Sequence, residues 1–260
     1  MSGEYDPLTP DEWVKFLKDQ ANQTREFRHD LYEKVDLVNK RKILDIGCGT
    51  GAITADIAAS ASGDVIGLDI DCEKLEKARI VADPRVTFMR ADAVNLPFKD
   101  NSFDLVTFSV VLLYIEDKQK AISEMTRVTE KNGIVLATME PDHAGALFYP
   151  EDAFYPLFLQ DLRKMGADLC SGRKLRYLFG NAGLRTEIGI NVYDLDWNNK
   201  DNKQQLDEYL DWFWMPEKLF LKNDWTEQQI EEYKRKQIRL IENNQFFYYL
   251  PVFYAIGRKE

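Results

Sequence analysis

Apolar positions along the chain follow two periods, and the places where one gives way to the other divide it into segments. Between residues 43 and 138, short apolar runs (43–46, 63–71, 86–92, 103–111 and 134–138) alternate with stretches of helical period (52–58, a helix ending at 81–84, and 118–129). Strands that alternate with helices in this way predict a parallel sheet with crossover helices. The run 103–111 is apolar almost throughout, which suits a strand buried on both faces. Residues 10–35 predict one helix ahead of the sheet, with Asp11 and Glu12 near its start and Trp13, Phe16, Leu17, Phe27 and Leu31 as its apolar positions. Residues 154–165 and 173–181 predict two further helices, the second stopped by Gly183, and 185–192 a sixth strand.

Past Asp194 the pattern turns polar, with helices predicted over 203–214 and 226–242. Residues 246–256 return to strand character, and Pro251 within them favours an edge, a bend or a bulge. Four parts result: a helical cap (1–40), an α/β core (41–193), a helical insertion (194–245) and a last strand that re-enters the core (246–260). There is no internal repeat and no low-complexity stretch.

The first apolar run enters a glycine-rich turn: Ile43, Leu44, Asp45, Ile46, then Gly47, Cys48, Gly49, Thr50, Gly51. Glycines allow tight backbone angles and let a ligand approach main-chain atoms. A strand, such a turn and then a helix N-terminus is where nucleotide-like ligands bind open α/β sheets. Gly47, Gly49 and Ala52 satisfy the dinucleotide pattern, with Asp69 about 20 residues on as the ribose acid. A dinucleotide would bring its anionic pyrophosphate close to Asp45, an unfavourable approach at short range. S-adenosyl-L-methionine carries no phosphate, and its ammonium and sulfonium are positive, so an acid at this strand end suits it. Asp45 as a plain helix cap is the competing reading. Asp69 and Asp92 close the second and third runs, so three successive strands each end in Asp at one edge of the sheet. Asp69 would accept from both ribose hydroxyls, and Asp92 from the adenine amino group.

With these residues in place, the chain resembles the class I S-adenosylmethionine-dependent methyltransferases, in the broad branch that includes quinone-biosynthesis enzymes. The resemblance rests on residues 44–51, Gly67-Leu68-Asp69, residues 91–98 (Ala-Asp-Ala-Val-Asn-Leu-Pro-Phe), residues 102–106 (Ser-Phe-Asp-Leu-Val) and the helix and turn of 124–134. Lys131-Asn132-Gly133 stands where the family usually has Lys/Pro-Gly-Gly, a departure that touches a turn and not the chemistry. The resemblance is specific over 41–140 and weaker over 141–192, where some members read Glu-Pro-Asp followed later by Gly-Arg-Lys-Leu. It implies an α/β, Rossmann-like, seven-stranded, mostly parallel sheet of order 3-2-1-4-5-7-6, with the last strand antiparallel in a hairpin. It implies S-adenosyl-L-methionine as cofactor, held by Asp45, Gly47, Gly49, Asp69, Ile70, Asp92, Ala93 and Ser109. It also implies that the N-terminal helix caps the cofactor, with Tyr5 and Trp13 in the cover and Arg28 reaching the cofactor carboxylate, which a guanidinium fork suits.

Composition narrows the setting. A chain of 260 residues, 45% hydrophobic and 30% charged, can bury a large core. No apolar run reaches the ~20 residues a membrane span needs, and residues 1–6 lack the layout of a signal peptide. Cys48, Cys72 and Cys170 have no metal-type spacing, so the expectation is a cytoplasmic protein without a metal. The net charge of −10 disfavours nonspecific nucleic-acid binding. Arg173, Lys174 and Arg176 form the densest basic cluster and read as a solvated helix face.

The methyl acceptor should lie over the ends of the fourth and fifth strands, facing the cofactor. Tyr114, Glu140, Asp142 and Trp214 are the candidates for its pocket, and His143 the candidate base, because an imidazole titrates near neutrality. Trp212, Phe213, Trp214 and Met215 would either anchor the insertion as core or wall an apolar acceptor. The expected reaction is in-line methyl transfer to a small molecule. A protein or tRNA methyltransferase, a nicotinamide oxidoreductase and a non-catalytic cofactor-binding regulator remain open alternatives.

Overall fold

Alternate residues of each central strand go to opposite faces, and both faces are covered. Ile43, Leu105, Ile134 and Leu136 join one apolar cluster, while Leu44, Val106, Val135 and Ala137 join another. That is why the strand runs read as continuously apolar rather than alternating. The computed structural model describes residues 8–80, 83–191 and 193–260. Tyr5, the 81–84 helix end at Val81 and Ala82, and the last residue of the sixth strand, Val192, lie outside the described residues.

Two helices open the described chain, α1 (Pro10–Gln23) and α2 (Arg25–Lys34), in place of the single one expected. Thr24 separates them: its hydroxyl donates to the Gln20 carbonyl at 2.6 Å and its backbone leaves helical geometry, so α2 takes a new direction. The core then runs β1 (Lys42–Ile46), α3 (Ala52–Ser60), β2 (Asp64–Asp69), α4 (Cys72–Ile80), β3 (Val86–Arg90), β4 (Phe103–Ser109), α5 (Lys118–Val128) and β5 (Thr129–Pro141). Next come β6 (Leu147–Tyr149), α6 (Phe154–Lys164), α7 (Leu175–Asn181) and β7 (Arg185–Asn191). Four helices follow, α8 (Tyr193–Asn199), α9 (Asn202–Trp212), α10 (Trp214–Lys222) and α11 (Glu227–Glu242), and then β8 (Phe247–Tyr249) and β9 (Val252–Arg258).

The large sheet has the order β3-β2-β1-β4-β5-β9-β7, which is 3-2-1-4-5-7-6 when its seven strands are numbered by themselves. β1 to β5 are parallel, and β9 runs antiparallel to both β5 and β7. The fold is therefore the Rossmann-like α/β sheet expected. One feature is additional: the run 246–256 breaks at Pro251, and its first half, β8, pairs with β6 in a separate antiparallel ribbon. Asn132 holds φ +63, a left-handed conformation that asparagine tolerates well, so its place in the turn before Gly133 costs little.

α2 and α3 cover one face of the sheet through Leu31, Tyr32, Ile57 and Ala58. α5 and α7 cover the other through Ile122, Met125, Leu178 and Phe179. The insertion packs elsewhere, as Phe213, Met215, Leu219, Phe220, Ile230 and Tyr233 gather with Leu8 and Trp13 in a third cluster. α1 is thus held between the core and the insertion, and Lys218 of α10 pairs with Glu12 of α1. Among the described residues no helix is long and apolar enough to cross a membrane.

The start of β1 is pinned by a side chain. Asp104 of β4 accepts the amides of Arg41 and Lys42 at 2.8 and 3.0 Å, which sets where β1 begins and hence where its glycine turn emerges. Asp104→Ala leaves both donors without their acceptor. It should lower stability by about 1–3 kcal/mol in urea unfolding, and a loss within the ~0.5 kcal/mol of an ordinary surface change would show that the pin is dispensable.

Candidate functional site

A cavity of about 1130 Å³ lies over the carboxyl ends of β1, β2 and β4 and the loop after β3. Residues 45–50, 68–71, 91–94 and 109–111 form its floor, and α1 closes it from above with Trp13, Phe16, Leu17 and Gln20. Its volume exceeds the ~300–1,000 Å³ usual for ligand sites, so a cofactor-sized molecule leaves room beside it.

The glycine turn is shaped by what presses on it. Gly47 and Gly49 hold φ +69 and +53, in the left-handed region. The amides of Gly47 and Cys48 both donate to the Leu68 carbonyl, at 2.7 and 3.0 Å. The Gly49 amide donates to the Asp69 carboxylate at 2.7 Å, and the other oxygen of Asp69 accepts the Asp71 amide at 2.9 Å. A Cβ on Gly47 would lie 2.4 Å from a methyl of Val111, so a side chain from the loop after β4 already fills that space. Leu17 of α1 approaches Gly49 in the same way, at 3.1 Å from where a Cβ would be.

Asp45 is buried beneath this turn and accepts from the Thr54 hydroxyl at 2.6 Å. Burial pushes its carboxyl up to about 7, and the neighbouring Asp69 charge adds to the rise, while Thr54 and Arg28 oppose it. A cation placed in the cavity would draw it back to the ionised form. Asp92 turns one oxygen to the Val94 amide at 3.1 Å and lines the cavity with Ala93. Ser109 lines it too, and its buried Oγ has no hydrogen-bond partner among the described residues. Such an orphan is unusual in a finished interior and fits a polar ligand atom. Acids at three strand ends, an orphan hydroxyl and a turn without a Cβ at Gly47 or Gly49 are a donor and acceptor set that fits an adenosyl and amino-acid ligand.

Eight of the nine expected cofactor residues line this cavity: Asp45, Gly47, Gly49, Asp69, Ile70, Asp92, Ala93 and Ser109. Arg28 does not. Its guanidinium is buried, bonded to the Ala21 carbonyl at 2.8 Å, to the Thr24 hydroxyl and to Asp56 at 2.9 Å. The break in the N-terminal helix at Thr24 turns α2 toward α3, so Arg28 joins α2 to α3 instead of reaching a ligand.

Of the acceptor candidates only Tyr114 lines the cavity. Glu140 is fully buried and accepts the amides of Val111 and Leu112 at 2.8 and 3.2 Å. Asp142 is buried against Arg173, whose Nη2 donates to it at 2.6 Å. Arg173, Lys174 and Arg176 are exposed, as a solvated face requires, and the first two also pair with Asp142 and Asp168. His143 lies under α6 with its Nδ1 3.0 Å from the Tyr155 hydroxyl, and burial lowers it to about 4. It lines neither chamber. Trp214 packs in the third apolar cluster with Lys15 over its ring, which favours the core reading of the 212–215 group.

Other residues at the site carried a partial signal or none. Trp13, Phe16, Leu17 and Gln20 recur at helical spacing, yet nothing local says which surface that stripe covers. Met165 and Gly166, just past α6, complete the wall near Tyr114, and the sequence around them bears no mark of it. A smaller chamber of about 60 Å³ adjoins there and shares Trp13, Phe16, Tyr114 and Met165 with the main cavity. Its remaining walls come from Leu8, from α6 (Phe158, Asp161, Leu162) and from α10 (Met215, Lys218, Leu219, Lys222).

Gly47→Ala tests the turn. The left-handed backbone should cost about 1–2 kcal/mol and crowding of Val111 a further ~1–3 kcal/mol, read by urea unfolding. A loss no larger than the ~1–2 kcal/mol of the left-handed backbone would show that Val111 gives way freely.

The comparisons with known proteins agree with this geometry. The family described as "Methyltransferase domain" matches residues 44–137. The demethylmenaquinone methyltransferase of Renibacterium salmoninarum is 31% identical over 183 residues, 70% of this chain and 71% of that enzyme. The enzyme of the same name from Lactiplantibacillus plantarum is 38% identical over 128 residues, 45% of this chain, and the match spans about half (54%) of its length. Among solved structures, phosphoethanolamine N-methyltransferase 2 of Haemonchus contortus with S-adenosyl-L-methionine shares the fold, at a TM-score of 0.59 and 18% identity over 90% of this chain and 52% of that one. Because the Renibacterium alignment takes in more than two thirds of both proteins, and the matched family spans the strands that build the cavity floor, the chain belongs to the class I S-adenosylmethionine-dependent methyltransferases, with S-adenosylmethionine as its cofactor.

Proposed function

We propose that the protein moves the methyl group of S-adenosylmethionine to a small, partly apolar acceptor held beside Tyr114. The observation that carries this reading is the main cavity of about 1130 Å³, which leaves room beside a cofactor along the wall of Trp13, Phe16, Tyr114 and Met165. The bound cofactor supplies an electrophilic methyl on a sulfonium. The chain's own residues do the rest. Asp69 accepts from the ribose hydroxyls, Asp92 and the backbone at Ala93 address the adenine, and Asp45 offers negative charge to the ammonium side. Ser109 donates to, or accepts from, a polar atom at the floor.

On the acceptor side, the aromatic walls from Trp13, Phe16, Tyr114 and Phe158 exclude water and align the acceptor with the methyl. Alignment and desolvation of this kind supply much of the rate in a displacement. Neither histidine lines the two chambers, so the reading needs no imidazole base. The names of the Renibacterium and Lactiplantibacillus relatives, together with the aromatic walls, support a ring-bearing acceptor of the demethylmenaquinone kind. The insertion, through α10, forms the outer wall of the acceptor chamber, and the reading places the protein in the cytoplasm.

Calorimetric titration with S-adenosylmethionine, S-adenosylhomocysteine and NADH is the first test. Binding of the two sulfur compounds but not NADH is expected, followed by transfer of a labelled methyl group in an acceptor screen. NADH binding alone would overturn the reading.

Asp45 adds a pH test. With its carboxyl pushed up to about 7, the neutral form dominates below that pH, and binding an ammonium beside it must release a proton there. Affinity for S-adenosylhomocysteine should therefore rise with pH up to about 7 and level off above, by at most about tenfold per pH unit for one proton. Asp45→Asn should reduce the rise by the share that Asp45 contributes. A rise that persists unchanged in that variant would place the titrating group elsewhere.

A further inference from the structure

The loop after β4 faces the glycine turn and is held in an unfavourable backbone conformation. Val110 has φ +57, a left-handed geometry that is an outlier for a β-branched residue. Its amide donates to the Met139 carbonyl at 2.7 Å. The next two amides, of Val111 and Leu112, go to the two oxygens of Glu140 at 2.8 and 3.2 Å. Glu140 is wholly buried at the end of β5, and the Ser171 hydroxyl approaches one of its oxygens at 3.5 Å. One carboxylate thus ties three segments together: the end of β5, the loop after β4 and the turn before α7.

The consequence reaches the cofactor. Val110 and Val111 both line the cavity, and Val111 fills the space that a Cβ on Gly47 would take. Tyr114, the residue common to both chambers, follows within a turn, its amide bonded to the Val111 carbonyl at 3.0 Å. A strained conformation persists only where its surroundings over-determine it. Here the surroundings are two backbone amides on one buried acid. Without that acid the loop is free to relax, withdrawing Val111 from Gly47 and carrying Tyr114 with it.

We propose that Glu140 is a positioning residue, whose carboxylate holds the loop after β4 against the cofactor turn and so sets both the cofactor cavity and the place of Tyr114. The inference deepens the methyltransferase reading and rests on it for the ligand used below. Glu140 touches neither chamber, so it acts through Val111, Leu112 and the strained Val110. Burial raises its carboxyl to about 7, against the two amides, Ser171 and the charge of Lys118 at the start of α5. Asp142, two residues on, is occupied by Arg173.

Glu140→Gln keeps the shape of the side chain but turns an NH2 toward one of the two amides. We expect it to bind S-adenosylhomocysteine at least tenfold more weakly by calorimetry, with amide exchange at Val111 and Leu112 at least tenfold faster. Adding Val110→Gly to that variant removes the strain the carboxylate opposes, since glycine adopts the same φ freely. Affinity should then recover to within threefold of the unaltered protein, which a general packing role for Glu140 would not produce. Affinity within twofold of the unaltered protein in Glu140→Gln, or no recovery in the double variant, overturns the proposal.

Should Glu140→Gln fail to fold, the unaltered protein decides the matter by nuclear magnetic resonance. The amide proton shifts of Val111 and Leu112 should move together, with one shared midpoint, as the pH is lowered until Glu140 protonates, and shifts that move with different midpoints overturn the proposal. These shifts need no ligand. A protein that binds no S-adenosylhomocysteine therefore strikes the methyltransferase reading, while the shifts still judge Glu140.

Discussion

The amide of Gly49 donates to the carboxylate of Asp69 at 2.7 Å, and the amides of Gly47 and Cys48 converge on the carbonyl of Leu68. These bonds lay the turn after β1 flat across the end of β2. That placement is possible only with left-handed backbone at Gly47 and Gly49, because Val111 and Leu17 press on the faces where a Cβ would stand. The cavity, the approach of α1 and the burial of Asp45 all depend on this contact between two parallel strands. The parallel register of β1 with β2, and of β1 with β4, brings the participating groups to one edge of the sheet.

Two buried acids stand behind that edge and play different parts. Asp45 and Glu140 are both desolvated enough to sit at about 7, yet their partners differ. Asp45 has one hydroxyl partner and a place in the cavity wall, so a ligand cation can settle its charge. Glu140 has two backbone amides and no access to either chamber, so its charge is settled by the chain itself. Similar acidity therefore comes with a place in the cavity wall in one case and with two backbone amides in the other. Burial alone does not separate the two roles; the identity of the hydrogen-bond donors does.

The α1 helix joins the two halves of the molecule. Its apolar stripe meets the cofactor cavity through Phe16 and Leu17 and the acceptor chamber through Trp13, while Glu12 pairs with Lys218 of α10. Lys74 of α4 sits over the ring of Trp13 at 4.4 Å, and Lys77 reaches Asp11 at 2.8 Å, so the same helix is also tied to the core. The main cavity and the smaller chamber thus have one cover, held by contacts to the core on one side and to the insertion on the other.

How much of this was legible in the sequence follows from the range of the forces involved. The strands, their order of appearance and the acids at their ends are local: periodicity places each strand, and an all-parallel connection brings successive carboxyl ends to one edge. Asp45, Asp69 and Asp92 could therefore be brought together from spacing alone, and the glycine turn declared its backbone by composition. The direction in which a loop side chain faces is not local. Glu140, Asp142 and His143 are expected toward the ligand because they follow the right strand end, and Arg28 because the N-terminal helix is expected to cap the cofactor, but packing turns each to a partner from another segment: the amides after β4, Arg173, Tyr155 and Asp56. Their desolvation had to be met by whichever group the tertiary fold brought opposite. By itself the sequence determined the sheet, the glycine turn and the three acids beside it, because these rest on backbone conformation and short-range spacing. Only the tertiary structure decided the cover by α1, the strained Val110 and the shape of the acceptor chamber, because these rest on contacts between segments that periodicity cannot orient.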